Sequence, residues 1–464
     1  MALEIVILAA GKGSRMHSDK PKVLHEVAGM PMLGHVIKTA CELKPKAIHV
    51  VIGHGCELVE DYLKTLSLDA INVDTVLQKE QLGTAHAVAM ALPKIEPKND
   101  VMVLYGDTPL TPKETLLDLY QKLAHKPLMV LSAIASDPTG YGRIVRNAQH
   151  NLLKIVEQKD ADEQTRKICE INTGIIIAKA QILLDYIPKI QNHNAQGEYY
   201  LTDLAGLLAS EGQEVGVEIA PDFEMLSGVN SKRQLSVVER LYQYRQALRL
   251  MDEGVSMADP QRFDLRGSLE HGRDDFIDIN VIIKGKVKIG NNVVIGAGCV
   301  ISDCTIADGA IISPYTVMEQ SQLGEDTTVG PFTRLRPGVT LDKKAHVGNF
   351  VEIKKSYLGV GTKAGHLSYL GDATIGNEVN IGAGTITCNY DGANKFKTII
   401  GDDVFVGSDS QLVAPVTVPE GVTIAAGTTV THRTQLTKGC LVLTRCESTI
   451  KENYQRPHKI KAEK

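Results

Sequence analysis

No stretch of the 464 residues approaches the roughly 18 consecutive apolar residues that a membrane-crossing helix needs. The first apolar run, in MALEIVILAAGKGSR, is too short, lacks a basic leader and runs straight into a Gly-rich loop. It reads as a buried first strand. An excess of positive charge is also missing. Fifty Lys and Arg against 55 Asp and Glu leave a net charge of −5. That excludes a nucleic-acid binder held by bulk charge, while local cationic pockets for phosphates stay open. Eight cysteines occur without a CxxC pair or histidines at zinc spacing, so reduced thiols in a cytoplasmic protein are expected. Tryptophan is absent.

Glycine is plentiful, at 41 residues, and its placement separates two halves. Residues 1–230 alternate short apolar strands with amphipathic segments. Ile5–Ala10, Ala47–Ile52, Asn72–Leu77 and Val101–Tyr105 read as strands; Met32–Leu43, Glu57–Leu66 and Thr84–Leu92 read as helices. Alternation of this kind predicts an open, mostly parallel, Rossmann-like α/β sheet with ligands at the carboxyl ends of its strands. Residues 231–254 predict one long connecting helix, capped by Ser231 and stopped by Gly254. Leu235, Val238, Leu241, Leu248 and Met251 fall at helical spacing, and the helix reads as a spacer.

Residues 255–464 change period. Ile289, Ile295 and Ile301 lie six apart, as do Leu323 through Ile353, Leu358 through Leu370, Ile375 with Ile381, and Ile400 through Val430. The next slot is often glycine, as at Gly290, Gly330, Gly365, Gly382 and Gly407. Period six is the hexapeptide signature of a parallel β-helix, with the aliphatic residue pointing into each coil. The stretch Thr387–Ile399 breaks the phase and is expected to leave the coil as a loop, a frequent place for a site.

Two constellations carry chemistry. Leu8, Ala9, Ala10, Gly11, Lys12, Gly13, Ser14 and Arg15 run off the first strand, with Lys22 after Pro21. Two glycines let successive N–H groups cradle phosphate oxygens, and Arg15 and Lys22 add positive charge where a leaving pyrophosphate would gain negative charge. Asp107 follows an apolar strand, so it is either a carboxylate at a strand mouth or a turn cap. Asn230 is either a ligand or a helix cap. In the second half, counting hexads from Ala364 puts His366 in an outward slot, where imidazole could take a proton from an amine. Arg336 and Lys354 stand where other turns have glycine. Cys304 and Cys388 lack a motif-defined base beside them and read as packed or surface thiols and not as nucleophiles.

The first constellation resembles the sugar-phosphate nucleotidyltransferases, with Ser14 in place of their usual threonine. Gln78, the segment Gln81 to Thr84 with Gly83, the strand end Tyr105-Gly106-Asp107, and Gly142, Glu157, Asn172 and Asn230 match that family's uracil, sugar and metal segments. Together with the hexapeptide tail, the chain resembles the bacterial family of bifunctional N-acetylglucosamine-1-phosphate uridylyltransferases and glucosamine-1-phosphate acetyltransferases. The resemblance implies a left-handed β-helix and a homotrimer. It implies Mg²⁺ held by Asp107 and Asn230, UTP and acetyl-CoA as co-substrates, and His366 as general base. It assigns Arg336, Lys354, Tyr369 and Asn380 to glucosamine 1-phosphate, and Ala383, Asn389, Tyr390, Ser408, Ala426 and Arg445 to acetyl-CoA. The register around Arg445 is the least regular. Two rival readings are disfavoured: the intact Ala364-Gly365-His366 segment and the phase-breaking loop speak against a single-activity nucleotidyltransferase whose β-helix serves assembly, and retention of Asp107, Lys22 and His366 speaks against a non-catalytic binding module.

Overall fold

Val- and Ile-rich runs build the first half as a sheet. The computed structural model describes residues 2–66, 71–445 and 450–455. The chain divides into two units, Met1–Gln243 and Tyr244–Lys464. In the first, nine strands form one sheet. Its path runs through Gly216–Ala220, Leu128–Ile134, Glu170–Lys179, Asp100–Tyr105, Leu3–Leu8, Ala47–Ile52 and Asn72–Leu77. Gly142–Arg146 pairs with Glu170–Lys179 and with Leu152–Val156. The strands from Leu3, Ala47, Asn72 and Asp100 are parallel, and Glu170–Lys179 runs against both its neighbours on that path.

Alternate residues of these strands face separate cores. Ile5, Ile7, Ile48 and Met102 pack with Leu33 and Leu116 of the helices Met32–Glu42 and Lys113–Leu123. Val6, Val51, Val101 and Val103 pack with Val88, Leu183 and Leu204 of the helices Thr84–Ala91, Ala180–Tyr186 and Asp203–Ser210. Helices therefore cover both faces, as a parallel sheet requires. Leu8 lies opposite Val51 and Tyr105, and Ile52 opposite Leu77. Ala9, Gly53, Gln78 and Gly106 consequently emerge together at one carboxyl edge. The first strand stops at Leu8 and not at Ala10, because Ala9 and Ala10 already belong to the loop that crosses this edge.

The helix Lys232–Asp252 starts on a reciprocal cap. Gln234 N donates to Ser231 Oγ at 3.2 Å, and Gln234 Oε1 accepts from Asn230 N at 2.8 Å. That is a capping-box arrangement shifted back by one residue. Gly254, at φ +112°, ends the helix. The spacer reading needs correction. Val238 is buried in the first unit with Val27, Met32, Leu110 and Val229. Further along, Ala247 and Leu250 are buried in the core of the second unit, while Leu248 and Met251 are exposed. Each half of the helix presents the face that its own unit's core demands, so one helical stripe does not continue from end to end.

The second unit is a parallel β-helix. One sheet of eleven short strands stacks Val294–Ile295, Ile311–Ile312, Thr328–Val329, His346–Asn349, Lys363–His366, Asn380–Ile381, Phe405–Val406 and Thr423–Ile424 among others; a second sheet of seventeen strands supplies the remaining walls. Ile311 follows its partner Val294 by seventeen residues, and His346 follows Thr328 by eighteen. Every aliphatic residue of the hexad series is buried. Small hydroxyl residues fill the tighter corners. Thr316, Thr327, Thr385 and Ser410 each donate to the carbonyl three residues earlier, which satisfies the buried oxygen. The register runs further than the sequence pattern suggested. Thr387 is buried in the slot six residues after Ile381, with its hydroxyl bonded to Gly371, so the chain leaves the coil only after Cys388 and returns at Thr398.

Ile353 is fully buried between coils, whereas Val317, two coils earlier in the same sheet, is 43% exposed. Ile353→Ala should destabilise the C-terminal unit by about 2–5 kcal/mol, and Val317→Ala by no more than about 0.5 kcal/mol. Urea unfolding of the two variants measures the contrast.

Candidate active sites

The first site lies at the carboxyl edge of the first sheet. A cavity of about 370 Å³ is lined by Leu8, Ala9, Ala10, Gly11 and Lys12 of the loop, by Lys22, by Gln78, Gln81, Gly83 and Thr84, by Tyr105 and Asp107, and by Glu198. Two close approaches shape this edge. Gly83 sits at φ +118°, and an added Cβ would come within 2.5 Å of the Tyr199 carbonyl oxygen. Gly174, at φ +88°, packs against the Tyr105 ring, which an added Cβ would meet at 2.6 Å. Side chains are excluded at both positions, and the ring and the Glu198–Leu201 backbone close in. Gln78 Nε2 donates to Gly83 O at 3.1 Å, which holds the segment after it.

Three side chains converge beside this cavity. Lys22 Nζ donates to Asp107 Oδ2 and, at 3.0 Å, to Asn230 Oδ1. Val229 N donates to Asp107 O at 3.0 Å, which ties the two segments. Asp107 is buried and its carboxylate is engaged by Lys22, so it is not a solvated turn residue. Ser231, not Asn230, caps the following helix with its side chain. Arg15 stands apart from this group, on the exposed outside of the single turn Ser14–Met16.

Asn172 and Gly142 pair across adjacent strands, and Glu157 lies against Gly142. Thr202 donates to Glu157 Oε1 at 3.0 Å. Burial pushes the Glu157 carboxyl above the ordinary glutamate value, with Asp203 and Asp160 adding repulsion and the Thr202 bond opposing. Burial, with Glu157 and Asp107 nearby, also holds the Tyr105 phenol protonated.

The second site is a set of columns on the β-helix. His366, at the end of Lys363–His366, is exposed, and its Nδ1 lies 3.0 Å from Asn349 Oδ1 on the preceding coil. With Asn349 accepting from Nδ1, the neutral ring presents an unprotonated Nε2. Strand register continues the column to Ala383, Ser408 and Ala426. Asp409 N bonds to Ala383 O, Gly427 N to Ser408 O, and Arg445 Nη1 to Ala426 O at 3.1 Å. The irregular tail thus brings Arg445 to the end of the same column; Cys446–Thr449, within that tail, lie outside the described residues.

Arg336 and Lys354 stack on consecutive coils of the larger sheet, and Tyr369 pairs with Glu352 beside them. Arg336 Nη1 donates to Glu352 Oε1 at 2.9 Å. Asn380 is not on that wall. It pairs with Lys363 and Phe405 on the eleven-stranded sheet. Tyr390 is exposed at the start of the loop, while Asn389 is buried, with its amide given to Asp372. Burial pushes the Cys304 thiol up to about 11 and raises Cys388 as well, which leaves neither a ready nucleophile.

Several neighbours were not read from the sequence. Glu198 reaches the first cavity from a segment with no motif. Asn349 was findable, because it precedes His366 by one seventeen-residue coil. Lys395, beside Lys354, lies on the loop where register gives no guidance.

Residues 5–174 match the family model described as a MobA-like NTP transferase domain. Residues 397–432 match that of the bacterial transferase hexapeptide, six repeats. This chain carries a nucleotidyltransferase-type domain and hexapeptide transferase-type repeats. Similar solved structures include a UDP-glucose pyrophosphorylase complexed with UDP-glucose, 18% identical, covering 53% of this chain and 100% of its own at a TM-score of 0.43. HddC from Yersinia pseudotuberculosis complexed with GMP-PN is 18% identical over 52% of this chain and 100% of its own, at a TM-score of 0.41. Among the described residues, no helix is long and apolar enough to cross a membrane.

The raised Glu157 carboxyl gives a pH test. A folded state that holds its proton more tightly than the unfolded chain loses stability as pH rises from the ordinary glutamate value through the raised folded one. Glu157→Gln should remove that slope and leave the N-terminal unit more stable than wild type at neutral pH. Urea titrations at acid and neutral pH check both the sign and the crossover.

Proposed function

We propose that the chain is a transferase with two activities. Its second unit acetylates glucosamine 1-phosphate from acetyl-CoA, and its first transfers UMP from UTP to N-acetylglucosamine 1-phosphate with release of pyrophosphate. The observation that carries this reading is the convergence of Lys22, Asp107 and Asn230 beside a cavity floored by the Gly-rich loop.

The Asp107 and Asn230 oxygens surround one cationic position, which the Lys22 ammonium takes. One anionic and one neutral oxygen suit Mg²⁺, which accepts few protein ligands and shares its remaining positions with phosphate and water. Among the described residues no group of three or more His, Cys, Asp or Glu side chains could hold a metal without such help. A bound Mg²⁺ supplies charge neutralisation along the triphosphate. Loop amides from Ala9 to Gly11 cradle the phosphates, and Lys22, turned from Asp107, steadies the pyrophosphate that leaves. Arg15 reaches that charge from the outer turn. Gln78, Gly83 and Thr84 read the base; Gly106, Gly142, Glu157 and Asn172 hold the sugar. Attack of the sugar phosphate on the α-phosphorus is in line, without a covalent enzyme intermediate.

In the second unit, Arg336, Lys354 and Tyr369 bind the sugar phosphate from one wall, and Asn380 does so from the wall that carries His366. His366 Nε2 removes a proton from the amine as it attacks the thioester carbonyl. The column from His366 to Ala426 spans about 14 Å, three strand spacings of about 4.8 Å. That length suits a cofactor laid along the coils, ending at Arg445, with Asn389 and Tyr390 at its side. Acetylation comes first in this reading, because the nucleotide site's residues hold an N-acetyl sugar.

Crossed variants test the pair. Asp107→Ala should abolish pyrophosphate release and leave acetyl transfer intact. His366→Ala should lower the acetylation kcat by about 10²–10⁴-fold, with little change in KM for acetyl-CoA and none in pyrophosphate release. Normal pyrophosphate release in the first variant, or near-normal acetylation in the second, would sink the corresponding site.

The same reading makes the active protein a closed homotrimer, in which identical β-helix walls repeat around an axis. Light scattering under assay conditions should give three times the chain mass. A monomer with full activity refutes it.

A further inference from the structure

We infer that Asp372 is a positioning residue of the C-terminal site, fastening the hairpin that carries Lys395 to the coil that carries Lys354. The inference rests on the acetyl-transfer reading of that site. From Phe263 to Ile386 strand partners follow one another by seventeen or eighteen residues, but Phe405 follows its partner Asn380 by twenty-five, as Thr398 follows Ala373. The extra residues form a small closed hairpin. Tyr390 and Lys395 are bridged, Phe396 N donates to Asn389 O at 2.9 Å, and Asp391 Oδ1 accepts from Ala393 N and Asn394 N.

This hairpin holds its own shape, so what matters is how its root is aimed. Asp372 meets three segments there. Its N–H donates to Lys354 O at 3.0 Å, its carbonyl accepts from Thr398 N at 3.2 Å, and its Oδ2 accepts from the buried Asn389 Nδ2 at 2.5 Å. One residue thereby joins the coil before the excursion, the outgoing strand and the returning strand. It does so at φ +50°, a left-handed conformation that aspartate tolerates better than most residues. Gly371 beside it leaves the space that Asn389 fills, since an added Cβ would lie 2.8 Å from the Asn389 amide nitrogen.

The anchor works against repulsion. Lys395 in contact with Lys354, with Arg336 adding to the effect, holds the Lys354 ammonium below the ordinary lysine value. Like charges held together favour an anion between them, and the phosphate of the sugar substrate has that chemistry. Once released at its root, the hairpin would swing Lys395 away and leave the phosphate with two cations in place of three. The amine end of the substrate, near His366, would feel this little.

Three proteins decide the matter: wild type, Asp372→Ala and Asp372→Asn. Asp372→Ala should raise KM for glucosamine 1-phosphate roughly tenfold, with acetylation kcat nearly kept, as expected for loss of a charge-assisted contact used in ground-state binding. Asp372→Asn keeps an acceptor oxygen for Asn389 and should restore most of that KM. Hydrogen exchange in Asp372→Ala should quicken at the amides of residues 391–396 and stay unchanged in the strand Tyr369–Gly371. Pyrophosphate release should equal wild type in both variants. An unchanged KM in Asp372→Ala, an Asn variant as impaired as the Ala variant, or unaltered exchange in the hairpin overturns the role of Asp372. Absence of acetyl transfer in the wild type overturns the reading of the site instead.

Discussion

Each inward side chain of the β-helix has to lie over the one a coil earlier, and the layout of the second unit's outer columns follows from that demand. Ile295, Ile312 and Val329 are buried in one such stack, and Ile353, Leu370 and Thr387 in another. Once the inward positions are fixed, the outward ones have no freedom left. Asn349, His366, Ala383, Ser408 and Ala426 align because Val347, Ala364, Ile381, Val406 and Ile424 do. The turn glycines serve the same demand. At Gly348 an added Cβ would lie 2.0 Å from the Gly365 carbonyl oxygen, so consecutive coils could not close to strand spacing. The corner after His366 shows how firm this register is. Tyr315, Phe332 and Phe350 occupy left-handed positions on successive coils, and their rings stack at 5.3 and 5.5 Å between centroids.

The first unit solves a different problem. Its strands pair side by side, and its loops cross the carboxyl edge where four strands end level. Lys22, Asp107 and Asn230 come from distant parts of the chain; Asp107 follows the strand Asp100–Tyr105, and the bond from Val229 N to Asp107 O brings Asn230 beside it. Charge then fixes the local geometry. A buried aspartate needs a partner, and Lys22 supplies it.

Much of this was legible in the sequence because periodicity records burial. Every aliphatic position in the six-residue series points inward, and the same count puts His366 outward; the inward Ile306, Ile312 and Met318 fall outside that series because the coils around them differ in length by a residue. Strands Ala47–Ile52 and Asn72–Leu77 were readable to the residue. Legibility failed where the governing contact is nonlocal. In the connecting helix, spacing alone could not tell that Ala247 and Leu250, and not Leu248 and Met251, would turn inward, since two cores compete for one helix. At Thr387 the hydroxyl hides an inward position from the aliphatic pattern, and Gly371 satisfies it. The bond from the Asn389 amide to Asp372 has no local signal either, since the two residues lie seventeen apart on successive coils. Glu198 and Lys395 carry no pattern at all; a turn and a hairpin deliver them.

A solenoid whose coils are locked in phase is also a ruler. Its outward column can lengthen or shorten only by whole coils, in increments of about 4.8 Å, without rotating the marks along it. A single inserted residue cannot be absorbed in a wall, because it would turn every later inward side chain outward. Beyond the one-residue difference between seventeen- and eighteen-residue coils, which the corners absorb, length variation takes two forms: a coil gained or lost, or an excursion thrown out at a corner, as between Cys388 and Thr398. The first changes how long a ligand the column can gauge. The second leaves the gauge untouched and adds a new surface beside it. One backbone rule thus lets reach and specificity evolve separately.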